Sequence, residues 1–168
     1  MAKKWDKGID FIVVYERLAR LVKRERRAHN RAYAFILLIQ LRNGSRVSEA
    51  VRAFREFMLT GRTEVYVPLS KKKRPTLRLM VIPEIDFNRK ECADLLDVSE
   101  RLLIKRVKMY ALNRLKVNTH SLRYAFITYL LREGVNPSIV AKITGHAHLD
   151  SILRYTQEKE AERILRGL

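Results

Sequence analysis

The sequence is short of acid, almost without cysteine and free of any long apolar run, and each shortage removes a class of protein. One cysteine, Cys92, stands among 168 residues. An internal disulfide is therefore impossible, and a lone thiol in a helix-like stretch reads as a small buried hydrophobe rather than a nucleophile. A cytoplasmic protein is expected. The most apolar stretch, Ala32 to Leu41, lies between Arg31 and Arg42. It is too short to span a bilayer, and the charged N-terminus lacks the apolar segment of a secretory signal. No membrane partner is expected, and the run reads as a buried helix. No repeat, low-complexity tract or Gly/Ser linker divides the chain, so one domain over residues 1–168 is expected.

Acidic residues number 18 against 35 lysines and arginines, a formal charge of +17. Such a surface seeks a polyanion, and nucleic acid is the commonest, because each neutralised phosphate releases condensed counterions. A ribosomal-type protein or a thermophilic surface rich in Lys, Arg and Glu has the same composition, so charge alone does not separate these from a DNA enzyme. Apolar residues make up 47% of the chain, ample for one core.

Periodicity predicts a mainly α fold with one small antiparallel sheet. Phe11, Val14, Tyr15, Leu18, Leu21 and Val22 recur at helical spacing between Ile9 and Lys23. The buried helix follows from about His29 and stops at Asn43-Gly44, a left-handed signal. Ser45 can cap the next helix, Val47 to about Phe57, which puts Arg46 at its N-terminal lip. Two strand-like runs, Glu64 to Leu69 and Thr76 to Ile82, flank the basic tip Ser70-Lys71-Lys72-Lys73-Arg74-Pro75. Pro68 argues for an edge strand, and Phe57 to Leu59 could add a third strand. Asp97 with Glu100 marks a further helix start, with Arg101, Lys105 and Lys108 on one face and Leu102, Leu103, Val107 and Tyr110 turned inward. That basic face is a candidate reader of a DNA groove. The last third is helical: His120 to Glu133 stopped by Gly134, a helix capped by Asn136 with Pro137 at its first position, a stop at Thr144-Gly145, and a final helix reaching Leu168.

Four pieces carry chemistry. Arg46 with Glu49 opens a helix after Asn43-Gly44; alone, such a pair is more often structural. His120-x-x-Arg123 sets an imidazole and a guanidinium at one helix start, within reach of a single anion. His146 follows Gly145 at a turn, and Tyr155 lies nine residues further on. Two guanidiniums can grip the non-bridging oxygens of one phosphate, imidazoles can handle protons beside it, and a phenol can attack phosphorus. His146 and His148 form a His-x-His pair, but no third ligand at convincing spacing makes it a zinc site.

The order and intervals of these pieces resemble the catalytic domain of the tyrosine recombinases and integrases over about residues 9 to 160. Asn43-Gly44-Ser45-Arg46-Val47-Ser48-Glu49 is similar to that family's first arginine box, commonly Thr-Gly-x-Arg-x-x-Glu. The stretch from Asn118 through His120-Ser121-Leu122-Arg123 to Gly145-His146 matches its second box nearly residue for residue. The resemblance implies attack by the Tyr155 hydroxyl on a phosphodiester of double-stranded DNA, giving a 3′-phosphotyrosyl link, without metal or nucleotide cofactor. Arg46, Arg123 and His146 would hold the phosphate, His120 would take the tyrosine proton, and Lys71 would protonate the leaving oxygen, with Lys72 and Lys73 as competitors for that role or as DNA contacts. The family's chemistry further implies four protomers on two duplexes. This chain has little before its buried helix that could form the N-terminal clamp most family members carry. Type IB topoisomerases share the chemistry, and a noncatalytic DNA-binding module of the same fold would need only the basic helix; both stay as alternatives.

Overall fold

The computed structural model describes residues 8–70, 73–146 and 150–168; within the last helix, the side chains of residues 151, 152, 154–156, 159 and 160 lie outside that description. The first helix, α1 (Phe11–Arg24), starts at Asp10, whose carboxylate accepts from the Val13 N–H at 2.9 Å, and buries Leu18 and Val22. The second, α2 (Ala28–Asn43), is buried at every position from Ala32 to Leu41. It is apolar all round because it is the axis of the molecule: α1 and three later helices pack against it. It stops at Gly44, where φ is +56° and a Cβ would fall on the Phe126 ring, so only glycine fits.

Helix α3 (Val47–Thr60) is capped at Arg46 rather than Ser45: the Glu49 carboxylate accepts from the Arg46 N–H at 3.1 Å, and Ser45 is wholly buried. The helix also absorbs Phe57 to Leu59. The Phe57 ring meets Phe35 edge-on, a contact that winding as a helix secures and a third strand would forfeit. The sheet is thus a hairpin of β1 (Glu64–Pro68) and β2 (Leu77–Val81), antiparallel, with Val65 opposite Met80 and Val67 opposite Arg78. Both strands are edges, which is where Pro68 is tolerated. Val65, Val67, Arg78 and Met80 face inward, while Tyr66, Leu77 and Leu79 are exposed on the outer face.

A 3-10 segment (Arg89–Leu96), not foreseen from the periodicity, leads into α4 (Glu100–Tyr110). The cap of α4 is Ser99, whose hydroxyl accepts from the Leu102 N–H at 3.3 Å; Asp97 instead closes the 3-10 segment. Leu103, Val107 and Tyr110 are buried as expected, but Leu102 is exposed. Beyond Tyr110 the chain makes one π turn (Ala111–Leu115), closed by Lys116 at φ +60°. The turn is held from outside: the Tyr110 hydroxyl and Arg114 Nε both donate to Glu25 Oε1, at 2.8 and 2.9 Å, and Arg17 donates to the Arg114 carbonyl at 2.8 Å.

It delivers Asn118, whose side chain accepts from the Ser121 N–H at 2.9 Å and starts α5 (Thr119–Arg132). Helix α6 (Pro137–Thr144) has the expected Asn136 cap, first-position proline and left-handed Gly145, and α7 (Asp150–Gly167) follows. Phe126, Ile127 and Val140 seat α6 on α5. Cys92 is buried, its thiol donates to the Ala28 carbonyl, and burial pushes its pKa up to about 11, so it is no nucleophile. No helix among the described residues is long and apolar enough to cross a membrane.

Candidate active site

Two helix starts are tied together at the end of α2. Gln40 is buried there, and its side-chain amide donates to the Ser45 carbonyl at 3.2 Å and to the Thr119 carbonyl at 2.8 Å. The entries of α3 and α5, each a positive dipole end, therefore lie side by side. Each brings an arginine: Arg46 at the cap of α3 and Arg123 in the second turn of α5.

Arg46 is half-buried, and its Nη1 donates to Glu49 Oε1 at 3.2 Å and to the Ser70 carbonyl at 3.1 Å. Glu49 has no exposed surface, a costly place for a carboxylate unless donors surround it. They do: besides Arg46, the Ser70 N–H donates at 3.2 Å and Arg78 Nη1 at 3.3 Å. Arg78 reaches in from β2, with only 7% of its surface exposed, and its Nη2 donates to the Asn43 carbonyl at 2.6 Å. Ser70, last residue before the basic loop, is held at every polar atom, since its hydroxyl also meets Ser48 Oγ at 2.8 Å and Arg52 Nη1 at 3.3 Å.

Arg123 is 2% exposed, and its Nη2 lies 3.0 Å from His146 Nε2. The Thr144 hydroxyl lies 2.8 Å from the Val140 carbonyl and 2.7 Å from His146 Nδ1, which holds the ring against the end of α6. Arg123 Nη2 also lies 3.1 Å from Nδ1, so both ring nitrogens face the guanidinium. Burial first, and then the charges of Arg123, Arg46, His120 and Arg78, lower the His146 pKa to about 4, so the ring is neutral at pH 7. Burial, followed by the charge of Arg46, brings Arg123 down to about 10, still cationic at neutral pH. Its Nη1 is buried and has no hydrogen-bond partner among the described residues. A buried guanidinium with an unpartnered N–H pair, pressed by other cations, has the chemistry to bind an anion.

Comparison with known proteins agrees with that chemistry. A model of the phage integrase family matches residues 14–162. The chain belongs to the phage integrase family. It is 42% identical over 167 residues to "Putative integrase ORF241" of Acidianus two-tailed virus, an alignment covering 98% of this chain and 68% of the viral protein. It is 31% identical to "Putative integrase V10" of Sputnik virophage, over 98% of this chain and 90% of the relative. Tyrosine recombinase XerC of Anoxybacillus flavithermus is 31% identical over 107 residues, which is 64% of this chain and 32% of that enzyme. No solved structure gives a significant match. The general function of this phage integrase family member is DNA integration and recombination.

Of the site residues expected from sequence, Arg46, Arg123 and His146 come together, with His120 close enough for its charge to act on His146. His120 is exposed where Arg123 is buried, and its ring stands edge-on to Tyr124 at 5.0 Å. Tyr155 falls within α7, and its side chain lies outside the described residues, as do Lys71, Lys72 and His148. Lys73 is exposed within the loop, and Arg101, Lys105 and Lys108 are exposed along α4. Sequence reasoning missed Arg78, Ser70, Gln40 and Thr144. A signal for Arg78 existed: in Leu77-Arg78-Leu79-Met80 strand alternation puts the arginine on the same face as Met80, the core face.

Proposed function

We propose that this phage integrase family member cleaves and rejoins double-stranded DNA through a covalent 3′-phosphotyrosyl intermediate. The Tyr155 oxygen attacks the scissile phosphorus as the bond to the 5′ oxygen breaks. The phenolic proton passes to His120, and the departing 5′ oxygen takes a proton from Lys71. A phenol with a pKa near ~10 is a poor nucleophile at pH 7, and the surrounding cations favour its phenolate. Arg46 and Arg123 neutralise charge growing on the non-bridging oxygens, the kind of preorganised stabilisation that contributes most to such reactions. The ester energy is kept in the phosphotyrosyl link, so rejoining by a 5′-hydroxyl needs no nucleotide. When that hydroxyl belongs to another duplex, strands are exchanged, and four protomers on two duplexes are the assembly we propose for it. Lys72, Lys73, Arg101, Lys105 and Lys108 are proposed contacts to DNA outside the reacting phosphate.

The observation that supports this reading best is the buried Arg123 guanidinium, with an open Nη1 on one side and neutral His146 on the other. The test uses nicked suicide DNA, from which the cleaved end diffuses away, followed by denaturing electrophoresis. The unmodified chain should accumulate a protein–DNA adduct, Tyr155→Phe none, and Arg123→Ala should lose about 100-fold or more in rate. Absence of adduct from the unmodified chain on any such substrate, or an equal amount from Tyr155→Phe, would refute the mechanism.

A further inference from the structure

Among the described residues, Glu49 is the one carboxylate that Arg46 meets, and two guanidiniums share it. Arg46 takes Oε1 at 3.2 Å and Arg78 takes Oε2 at 3.3 Å. Without Arg78, all of that buried negative charge would fall to Arg46, neutralising the cation that faces the phosphate. With Arg78 present, three arginines (Arg46, Arg78 and Arg123, mutually within electrostatic reach) are balanced by one carboxylate. Desolvation opposes burying Arg78 and lowers its pKa, so its position has a cost that the hairpin alone does not require. Arg78 also reaches two further elements: its side chain donates to the Asn43 carbonyl at the end of α2 and, at 3.5 Å, to the Thr144 carbonyl just before the His146 turn.

We propose that Arg78 is a positioning residue for phosphate activation: it holds Glu49 so that Arg46 keeps its charge and its aim toward the scissile phosphate. It touches no DNA. It works through Glu49 and Arg46. The inference rests on the phosphotyrosyl reading above.

The experiment is single-turnover cleavage of suicide DNA by the full chain with Arg78→Met and Arg78→Lys. Each is assayed on an ordinary scissile phosphodiester and on a methylphosphonate at the same position, where one charged oxygen is replaced by a methyl group. Methionine keeps bulk without charge; lysine keeps charge without the fork that reaches both Glu49 and Asn43. Removing the phosphate charge lessens the demand on Arg46, so a residue acting through Arg46 matters less on the neutral substrate. We expect Arg78→Met to slow phosphodiester cleavage about tenfold or more but methylphosphonate cleavage less than about threefold. In an Arg46→Ala background, Arg78→Met should add almost nothing, as residues acting as a unit are not additive.

An equal penalty on both substrates, or full additivity with Arg46→Ala, would mean a purely structural role and would overturn the inference. If the methionine variant does not fold, the lysine variant decides by the same ratio; if neither folds, Arg78 is structural and the inference falls. Adduct formation by the unmodified chain separates these outcomes from failure of the phosphotyrosyl reading, which would remove both.

Discussion

His146 is the residue whose chemistry depends most on its surroundings. Its pKa is lowered from the ordinary 6.5 to about 4, so between those values the unfolded chain binds a proton that the folded chain refuses. Stability from this group is complete above pH 6.5 and is lost as pH falls toward 4, roughly 1–2 kcal/mol after solvent screening. Urea unfolding at pH 7 and pH 5 should show a steeper loss for the unmodified chain than for His146→Asn, the difference isolating this imidazole from the carboxylates that titrate in the same range. Burial depresses this pKa most and the neighbouring cations add to it; an arriving phosphate offsets the cations, so DNA binding should draw a proton onto His146. Calorimetry in two buffers of different ionisation enthalpy should detect uptake near pH 6, and His146→Asn should abolish that share. The grouping of Arg46, Arg123 and His146 was legible because their order and intervals along the chain resemble those of the integrase family's boxes. Arg78 was not, since it acts through a contact with Glu49, 29 residues away in sequence, and it hides among many basic residues.

Elements were legible where local signals end them. Gly44, Asn136 with Pro137, and Gly145 punctuate the helices as expected because each satisfies backbone groups within a few residues. Gly44→Ala would both adopt φ +56° and strike Phe126, so it should destabilise by about 3 kcal/mol or more in chemical denaturation. The 3-10 segment and the π turn left no trace in the apolar periodicity, for both are held by distant partners: His29 and Arg31 meet Asp94 and Glu91 of the first, and Glu25 holds Tyr110 and Arg114 at the second. Lys116, left-handed at the exit of that turn, bears strain that glycine would relieve. Lys116→Gly is predicted to raise stability by about 0.5–1 kcal/mol, read as an upward shift in the urea midpoint. Ser45 and Asp97, by contrast, look like caps and are not, because Glu49 and Ser99 supply the bonds instead.

For the whole molecule, the charge of +17 predicts DNA binding that weakens steeply with salt. Replacing Arg101, Lys105 and Lys108 with alanine should flatten the log–log salt slope by up to about 0.9 for each phosphate no longer neutralised, while leaving cleavage of bound DNA unchanged. A slope equal to that of the unmodified chain would remove α4 from the interface. Three pieces of the site, the α3 start, the α5 start and the His146 turn, come from separate parts of the chain, and the hairpin touches two of them. At Gly145 the missing Cβ makes room for the Leu69 side chain at the loop end of the hairpin, and Arg78 reaches the Thr144 carbonyl beside it. The loop end of the hairpin thus packs directly on the two residues that precede the imidazole. Under the proposed contact between the basic loop and DNA, engaging the double helix and aligning the imidazole would be one mechanical event, and a substrate that fits the hairpin poorly would meet a histidine out of place.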